Sequence, residues 1–197
     1  KITAIQWPLL YAAILAVPLP VAARLSAEAL PDWSRTLDEV PTLGVVCCLF
    51  RLKEHLTPYF WVNINDRRVQ VNGLVEYSNL NQNGRWDSEI LYVPMYVAQD
   101  DPRWLWSDEE WAWYFNENLS ILWPGFPNLV VGKVITRDTH AQPVCTTGFA
   151  KRVPPLAGPA AGLFLVEASQ LYPSDRTLSG MIGLATKAAG LAQALDE

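Results

Sequence analysis

Residues 162–192 read GLFLVEASQLYPSDRTLSGMIGLATKAAGLA. Gly162–Val166 is a short apolar run that ends in an acid, Glu167. Runs of this kind are strands covered on both faces. A polar turn follows through Pro173, Ser174, Asp175 and Arg176, and a helix is predicted over Leu178–Leu195. The first turn of a helix presents unpaired N–H groups and the positive end of its dipole, which suits an anionic or electron-rich group. Gly180 and Gly183 allow a close backbone approach there at a cost in helix propensity. Ala or Gly also stands at 185, 188, 189, 190, 192 and 194, as suits a helix that packs closely on a neighbour. A plain C-terminal helix explains this pattern as well as a ligand site does.

Working outward, the other end carries a second strand–helix pattern. Trp7 to Ala23 holds no charged residue. Three readings fit it. One is a buried parallel strand, Leu10–Val17, ended by Pro18 and Pro20 and followed by a helix over Val21–Leu30. Another is a secretory signal, with Lys1, the run Leu9–Val17 and the small residues Val21-Ala22-Ala23. The third is a membrane anchor, for which the stretch is short and interrupted by Pro8, Pro18 and Pro20.

Between the two ends the chain reads as strands. Pro41–Leu52 is apolar on both alternating faces, which predicts an interior strand, with Cys47 and Cys48 on opposite faces. Phe60–Ile64 and Val69–Tyr77 follow, joined by Asn65-Asp66-Arg67-Arg68. Asn79–Gly84 is a polar loop. Glu89–Ala98 contains Pro94, which lacks a ladder donor, so an edge or a bulge is expected there. Ser107 with Glu110 forms a capping box, and Asp108, Glu109 and Glu110 fill the first turn. The stripe Trp111, Tyr114, Phe115, Leu119 and Leu122 then has helical spacing. Leu129–Arg137 is a strand, and Thr139–Gly158 reads as loop. The class is α+β: a mostly antiparallel mixed sheet with flanking helices and a C-terminal β–α piece. The expected division is 1–30 as a joining strand and helix, 31–158 as the sheet domain, and 159–197 as the C-terminal strand and helix.

Composition narrows the function. The chain has 197 residues with 15 Lys+Arg against 20 Asp+Glu and no basic block, which speaks against a nucleic-acid partner. Three cysteines favour no disulfide framework and suggest a reducing, cytoplasmic compartment, with peripheral membrane attachment left open. His55 and His140 are far apart and no Cys/His pair has ligand spacing, so no metal site is expected. G-x-S-x-G, G-x-x-x-x-G-K-[ST] and G-x-G-x-x-G are all missing. Seven of the nine Trp fall between Trp61 and Trp123. They make core packing, a partner patch around Trp104, Trp106, Trp111 and Trp113, or the wall of an apolar pocket. Tyr59, Trp61 and Asn63 alternate onto one strand face and are substrate-wall candidates.

With these residues in view, the 162–192 stretch resembles the FAD-contacting C-terminal segment of flavin-dependent amine oxidase and phytoene desaturase-like oxidoreductases. The resemblance rests on a strand, an acidic turn and the D-R-x-[LI]-S-G helix start at 175–180. LYAAILAVPLPVAARL (10–25) looks like that family's strand–turn–helix leading into the substrate domain. PYFWVNINDRRVQVNGLVEYSNLN (58–81) and HAQPVCTTGF (140–149) look like a substrate-domain strand and the flavin-side loop. The resemblance implies FAD contacts from Glu167, Asp175, Arg176, Ser179, Gly180 and Met181. It also implies His140 and Gln142 on a substrate-facing loop, with no assignable general base. It further implies that this is a C-terminal half. The partner would be a missing N-terminal FAD-binding half carrying the G-x-G-x-x-G motif, and FAD binding by this chain alone would be weak or absent. The expected substrate is a small amine or an apolar, isoprenoid-like molecule, and homodimers are a possible state. The competing expectation is a non-catalytic Trp-rich domain that binds a ligand or a protein.

Overall fold

The computed structural model describes residues 12–80 and 87–195. The elements in chain order are β1 (Ala13–Leu15), α1 (Leu19–Ser26), α2 (Pro31–Asp38), β2 (Thr42–Leu52), β3 (Trp61–Asn63), β4 (Gly73–Glu76), β5 (Glu89–Val97), α3 (Asp108–Leu122), α4 (Phe126–Leu129), β6 (Val130–Pro143), β7 (Leu163–Leu165) and α5 (Leu178–Gln193). They form two units, 43–139 and the pair of segments 1–42 with 140–197. The two chain ends belong to one unit.

The 43–139 unit is built on a five-stranded sheet of order β3-β4-β5-β2-β6. The pairings β3·β4, β4·β5 and β5·β2 are antiparallel. β6 lies on the other edge of β2, where Lys53 N–H donates to Leu129 O at 2.9 Å. Alternation on β2 and β5 sends Val46, Cys48, Phe50, Leu52, Leu91, Val93 and Val97 to one face. There they pack with Trp111, Phe115 and Leu119 of α3 and Phe126 of α4. α3 starts at the expected capping box: Ser107 Oγ accepts Glu110 N–H at 3.2 Å, and Glu110 Oε2 accepts Ser107 N–H at 2.8 Å.

The unit made by 1–42 and 140–197 pairs β1 with β7 in parallel, Ala13↔Leu163 through Leu15↔Leu165. The strand reading of the apolar N-terminal run holds for Ala13–Leu15; Leu10 and Tyr11 lie outside the described residues. Leu15, Leu19, Leu37, Val40, Phe149, Leu163 and Leu165 form its core. Ser34 Oγ donates to Ala23 O at 2.8 Å and ties α2 to α1.

Several expectations are corrected. α1 begins at Leu19 rather than Val21, because Pro20 sits in the first turn, where a missing N–H costs no helical bond. It ends at Ser26, and a second helix, Pro31–Asp38, was not anticipated. β5 is neither an edge strand nor bulged: Pro94 stands across from Cys47 in an unbroken register. The ladder to β4 covers only Val75↔Tyr92 and Glu76↔Leu91, so it stops short of Pro94 and needs no donor from it. Thr139–Pro143 is strand rather than loop, as the far end of β6. Among the described residues, no helix is long and apolar enough to cross a membrane.

Candidate functional site

Two candidate surfaces emerge, one in each unit. The first is the junction of β7 with α5. Glu167 is buried directly after β7, and its Oε2 accepts Ser169 N–H at 2.6 Å. Its own N–H is held by Gln170 Oε1 at 2.8 Å, so the turn is capped from both sides. Ser169, only 2% exposed, has a hydroxyl oxygen without a partner. Buried polar atoms are nearly always paired, so the open Ser169 hydroxyl sets this turn apart.

Six residues further on, Asp175 Oδ1 accepts Arg176 N–H at 2.7 Å, and Arg176 Nη1 donates to Ala141 O. This guanidinium brings the tail turn to the end of β6, between His140 and Gln142. Those two side chains do not stand on a loop. His140 Nδ1 is 3.2 Å from Thr42 Oγ1, and Gln142 Nε2 donates to Pro143 O at 3.0 Å. Thr177 caps α5: its Oγ1 accepts Gly180 N–H at 3.1 Å, and its carbonyl accepts Met181 N–H at 3.0 Å. Of the donors expected at Ser179, Gly180 and Met181, two are therefore consumed inside the helix start. The open first-turn donors are those of Leu178 and Ser179, both exposed. Gly180 lets the turn approach, since a Cβ there would stand 3.0 Å from Leu171 Cδ1.

The second surface is the sheet face of the 43–139 unit that α3 does not cover. Trp61 and Asn63 share it, joined by Trp61 Nε1–H donating to Asn63 Oδ1 at 2.8 Å, and neighbouring Tyr59 is 65% exposed. Strand register extends the row from Trp61 to Val75, Tyr92 and Leu49 across four strands. Below it lie the pairs Cys47↔Pro94 and Val45↔Tyr96. Tyr77 meets Tyr92 edge-on, with ring centroids 6.2 Å apart. The substrate-wall candidates taken from the sequence were Tyr59, Trp61 and Asn63; Tyr77, Tyr92 and Tyr96 were not assigned to that face. The signal was present in β5, where Leu91, Val93 and Val97 alternate with Tyr92, Pro94 and Tyr96. Among the described residues, no group of three or more His, Cys, Asp or Glu is arranged to hold a metal.

No protein-family model and no curated protein matches the sequence. Solved structures do share its fold. A protein assigned as a protoporphyrinogen oxidase from Exiguobacterium sp. 255-15 matches with a TM-score of 0.68 at 15% identity, over 92% of this chain and 41% of that one. Cyclohexylamine oxidase from Brevibacterium oxydans IH-35A matches with a TM-score of 0.65 at 14% identity, over 93% of this chain and 43% of that one. Putrescine oxidase, in a structure made to redesign its cofactor binding, gives 0.60 at 15% identity over 91% and 42%. The chain thus spans about two fifths of the length of the structures it matches. At this identity the likeness is one of fold. It is the fold named by the 162–192 resemblance, with two amine oxidases among the structures that carry it.

Proposed function

We propose that this chain is the C-terminal, substrate-domain part of an FAD-dependent oxidoreductase that dehydrogenates an amine or an apolar, isoprenoid-like substrate. Its partner is an N-terminal half carrying the dinucleotide-binding motif. The observation that carries the reading is the polar β7–α5 junction, where the Glu167 carboxylate and the unpartnered, buried Ser169 hydroxyl share one turn. The Glu167 carboxylate would accept a hydrogen bond from a hydroxyl of a polyhydroxy cofactor chain. When bound, FAD supplies a two-electron acceptor for the substrate's hydride.

The roles of this chain's own residues follow from their surroundings. Leu178 and Ser179 N–H groups, at the positive end of α5, stabilise negative charge on a bound electron-rich ring edge. Asp175 and Arg176 hold the turn. Tyr59, Trp61 and Asn63, joined by Tyr92 and Tyr96, give a flat apolar wall that binds and shields an uncharged or weakly polar substrate from water. α5 leaves Leu178 and Ile182 79% and 59% exposed, with open space over Gly183 and Gly190. We read that side as a seat for the missing half, and self-association of the isolated chain is the expected consequence. The free cysteines suit a reducing compartment.

The test is spectroscopic. The chain alone and the chain joined to a complementing N-terminal half are mixed with FAD, gel-filtered and scanned for protein-bound flavin. Flavin is expected to be retained by the joined protein and weakly or not at all by the chain alone. Ser179→Pro removes one open donor at a first-turn position where proline is tolerated, and should lower retention. Full retention in Ser179→Pro and Glu167→Ala together would refute the assigned contacts.

The second reading, a non-catalytic binding domain, is favoured by the exposure of Tyr59 and Trp61 on an uncovered face. It predicts ligand or protein binding by the chain alone that FAD does not alter.

A further inference from the structure

A cleft of about 420 Å³ lies within the unit formed by the chain ends, lined by residues other than Glu167 and Ser169. One wall is α2 with the residues just after it, which contribute Trp33, Leu37 and Val40; the last two are buried core residues. The other wall is the segment 153–159, which contributes Pro154 and Pro155. This segment is fixed rather than loose. Leu165 N–H donates to Leu156 O at 2.9 Å, Gly158 N–H donates to Leu163 O at 2.7 Å, and Pro154 O accepts Gln170 Nε2–H at 3.1 Å. The volume and the apolar, preformed walls are those of a small-molecule site.

The polar groups of the cleft are asymmetric. Lys151 and Arg152, consecutive and exposed, are its two cations, while Glu39, just past α2, is the single acid among the lining residues. The Lys151 ammonium has no ion-pair or hydrogen-bond partner among the described residues. Arg152 donates to Thr146 Oγ1 and lies over the Phe149 ring, with its guanidinium carbon 5.9 Å from the ring centroid. This bond uses one of its five N–H donors. A planar fork and a free ammonium on consecutive residues of an apolar cleft are the recognition chemistry of a carboxylate. Glu39 disfavours a second anionic group on the helix side.

We propose that this cleft binds an amphipathic monocarboxylate, its ring or short alkyl body seated between Trp33 and the proline wall and its carboxylate on Lys151 and Arg152. The site is separate from the flavin reading and does not depend on it.

The probe is 4-phenylbutyrate, titrated into the chain by calorimetry and by amide chemical shifts, with its neutral amide as control. Saturable binding is expected, with shifts confined to α2 and 151–159. The neutral amide and Lys151→Glu should each bind about tenfold more weakly, a loss of about 1.4 kcal/mol. Thr36→Trp places a large ring in the cleft from an exposed helix position and should abolish binding. Equal affinity for acid and amide, shifts centred on Tyr92 and Tyr96, or no saturable binding at all would each overturn the proposal. The amide comparison uses the unaltered protein, so it decides the matter even where a variant folds poorly.

Discussion

The carboxylate of Glu76, fully buried at the end of β4, accepts a hydrogen bond from Nδ1 of His55 at 3.1 Å. The same carboxylate accepts Leu56 N–H and Thr57 N–H, each at 2.8 Å, and Thr57 Oγ1–H at 3.0 Å. It thereby organises the whole turn that follows β2. A buried charge is tolerated only with such partners, and removing it strands several donors at once. Glu76→Ala is expected to destabilise the chain by about 3 kcal/mol, with Glu76→Gln costing less because it keeps the shape and one acceptor. Urea unfolding of both variants measures this. A Glu76→Ala midpoint equal to that of the parent would show that the turn stands without its carboxylate.

The start of α3 gives a prediction with a pH sign. The backbone N–H and the hydroxyl of Ser107 both donate to Glu110 and hold its carboxyl below the ordinary Glu value. A depressed acid stabilises the fold above its unfolded pKa and loses that contribution as pH falls through the folded one. The contribution is therefore present at neutral pH and fades from about 4.3 downward. Ser107→Ala should cost about 1 kcal/mol at pH 7 by loss of the cap. Thermal melts between pH 7 and pH 3 should show the gap to the parent narrowing as Glu110 becomes protonated. A gap that stays constant through the acid range would mean that the box carries no charge component.

Those two sites differ in how far the sequence announced them. Ser107 and Glu110 lie three residues apart, so the capping box is local and readable in one glance. Glu76 meets His55 and Thr57 about twenty residues away, and only the placement of the turn after β2 beside β4 brings them together. The same division runs through the fold. The alternation of β2 and the stripe of α3 were legible because the period is set by one element's own geometry. α2 was missed although Pro31, Asp32 and the Trp33–Leu37 spacing mark it, because it is short and follows another helix closely. The far end of β6 was missed because Thr139–Gln142 carries polar residues with no alternation. At the candidate site, Glu167 and the helix start were visible as a motif. The engagement of Gly180 and Met181 N–H by Thr177 was not, since it depends on which residue becomes the cap. The open aromatic face required register: Trp61, Val75, Tyr92 and Leu49 sit on four strands and join only when those strands pair.

Register also separates the cysteines chemically. Burial pushes the Cys48 thiol up to about 12, with neighbouring Cys47 adding to the rise, and desolvation raises Cys47 as well. The thiolate is the reactive form, so both should be nearly inert at pH 7.5. Cys145 is exposed and is expected to account for the single fast-reacting equivalent with Ellman's reagent. Denaturant should release the other two. Peptide mass mapping after brief iodoacetamide treatment checks the assignment; early label on Cys48 would contradict the burial of the β2 core face.

Glycine substitutions divide the structure into tight and open places. A Cβ on Gly44 would stand 2.4 Å from Trp104 Cζ2 and 2.7 Å from the Asp138 carbonyl oxygen. The carbonyl belongs to backbone and gives little way, so Gly44→Ala should cost about 1–3 kcal/mol. Gly183 and Gly190 in α5 are different: nothing lies within 4 Å of either built Cβ. There the added methyl narrows the unfolded ensemble and favours the helix, so each Gly→Ala change should stabilise the isolated chain by about 0.4–1 kcal/mol. Thermal melts of the single variants test the sign. The pair then probes what α5 is for. If its open side seats the N-terminal half, the double variant should be more stable alone yet join that half less well, because the methyls occupy the space left for close approach. Stabilisation with undiminished joining would leave α5 a simple exposed helix and overturn its assignment as a seat.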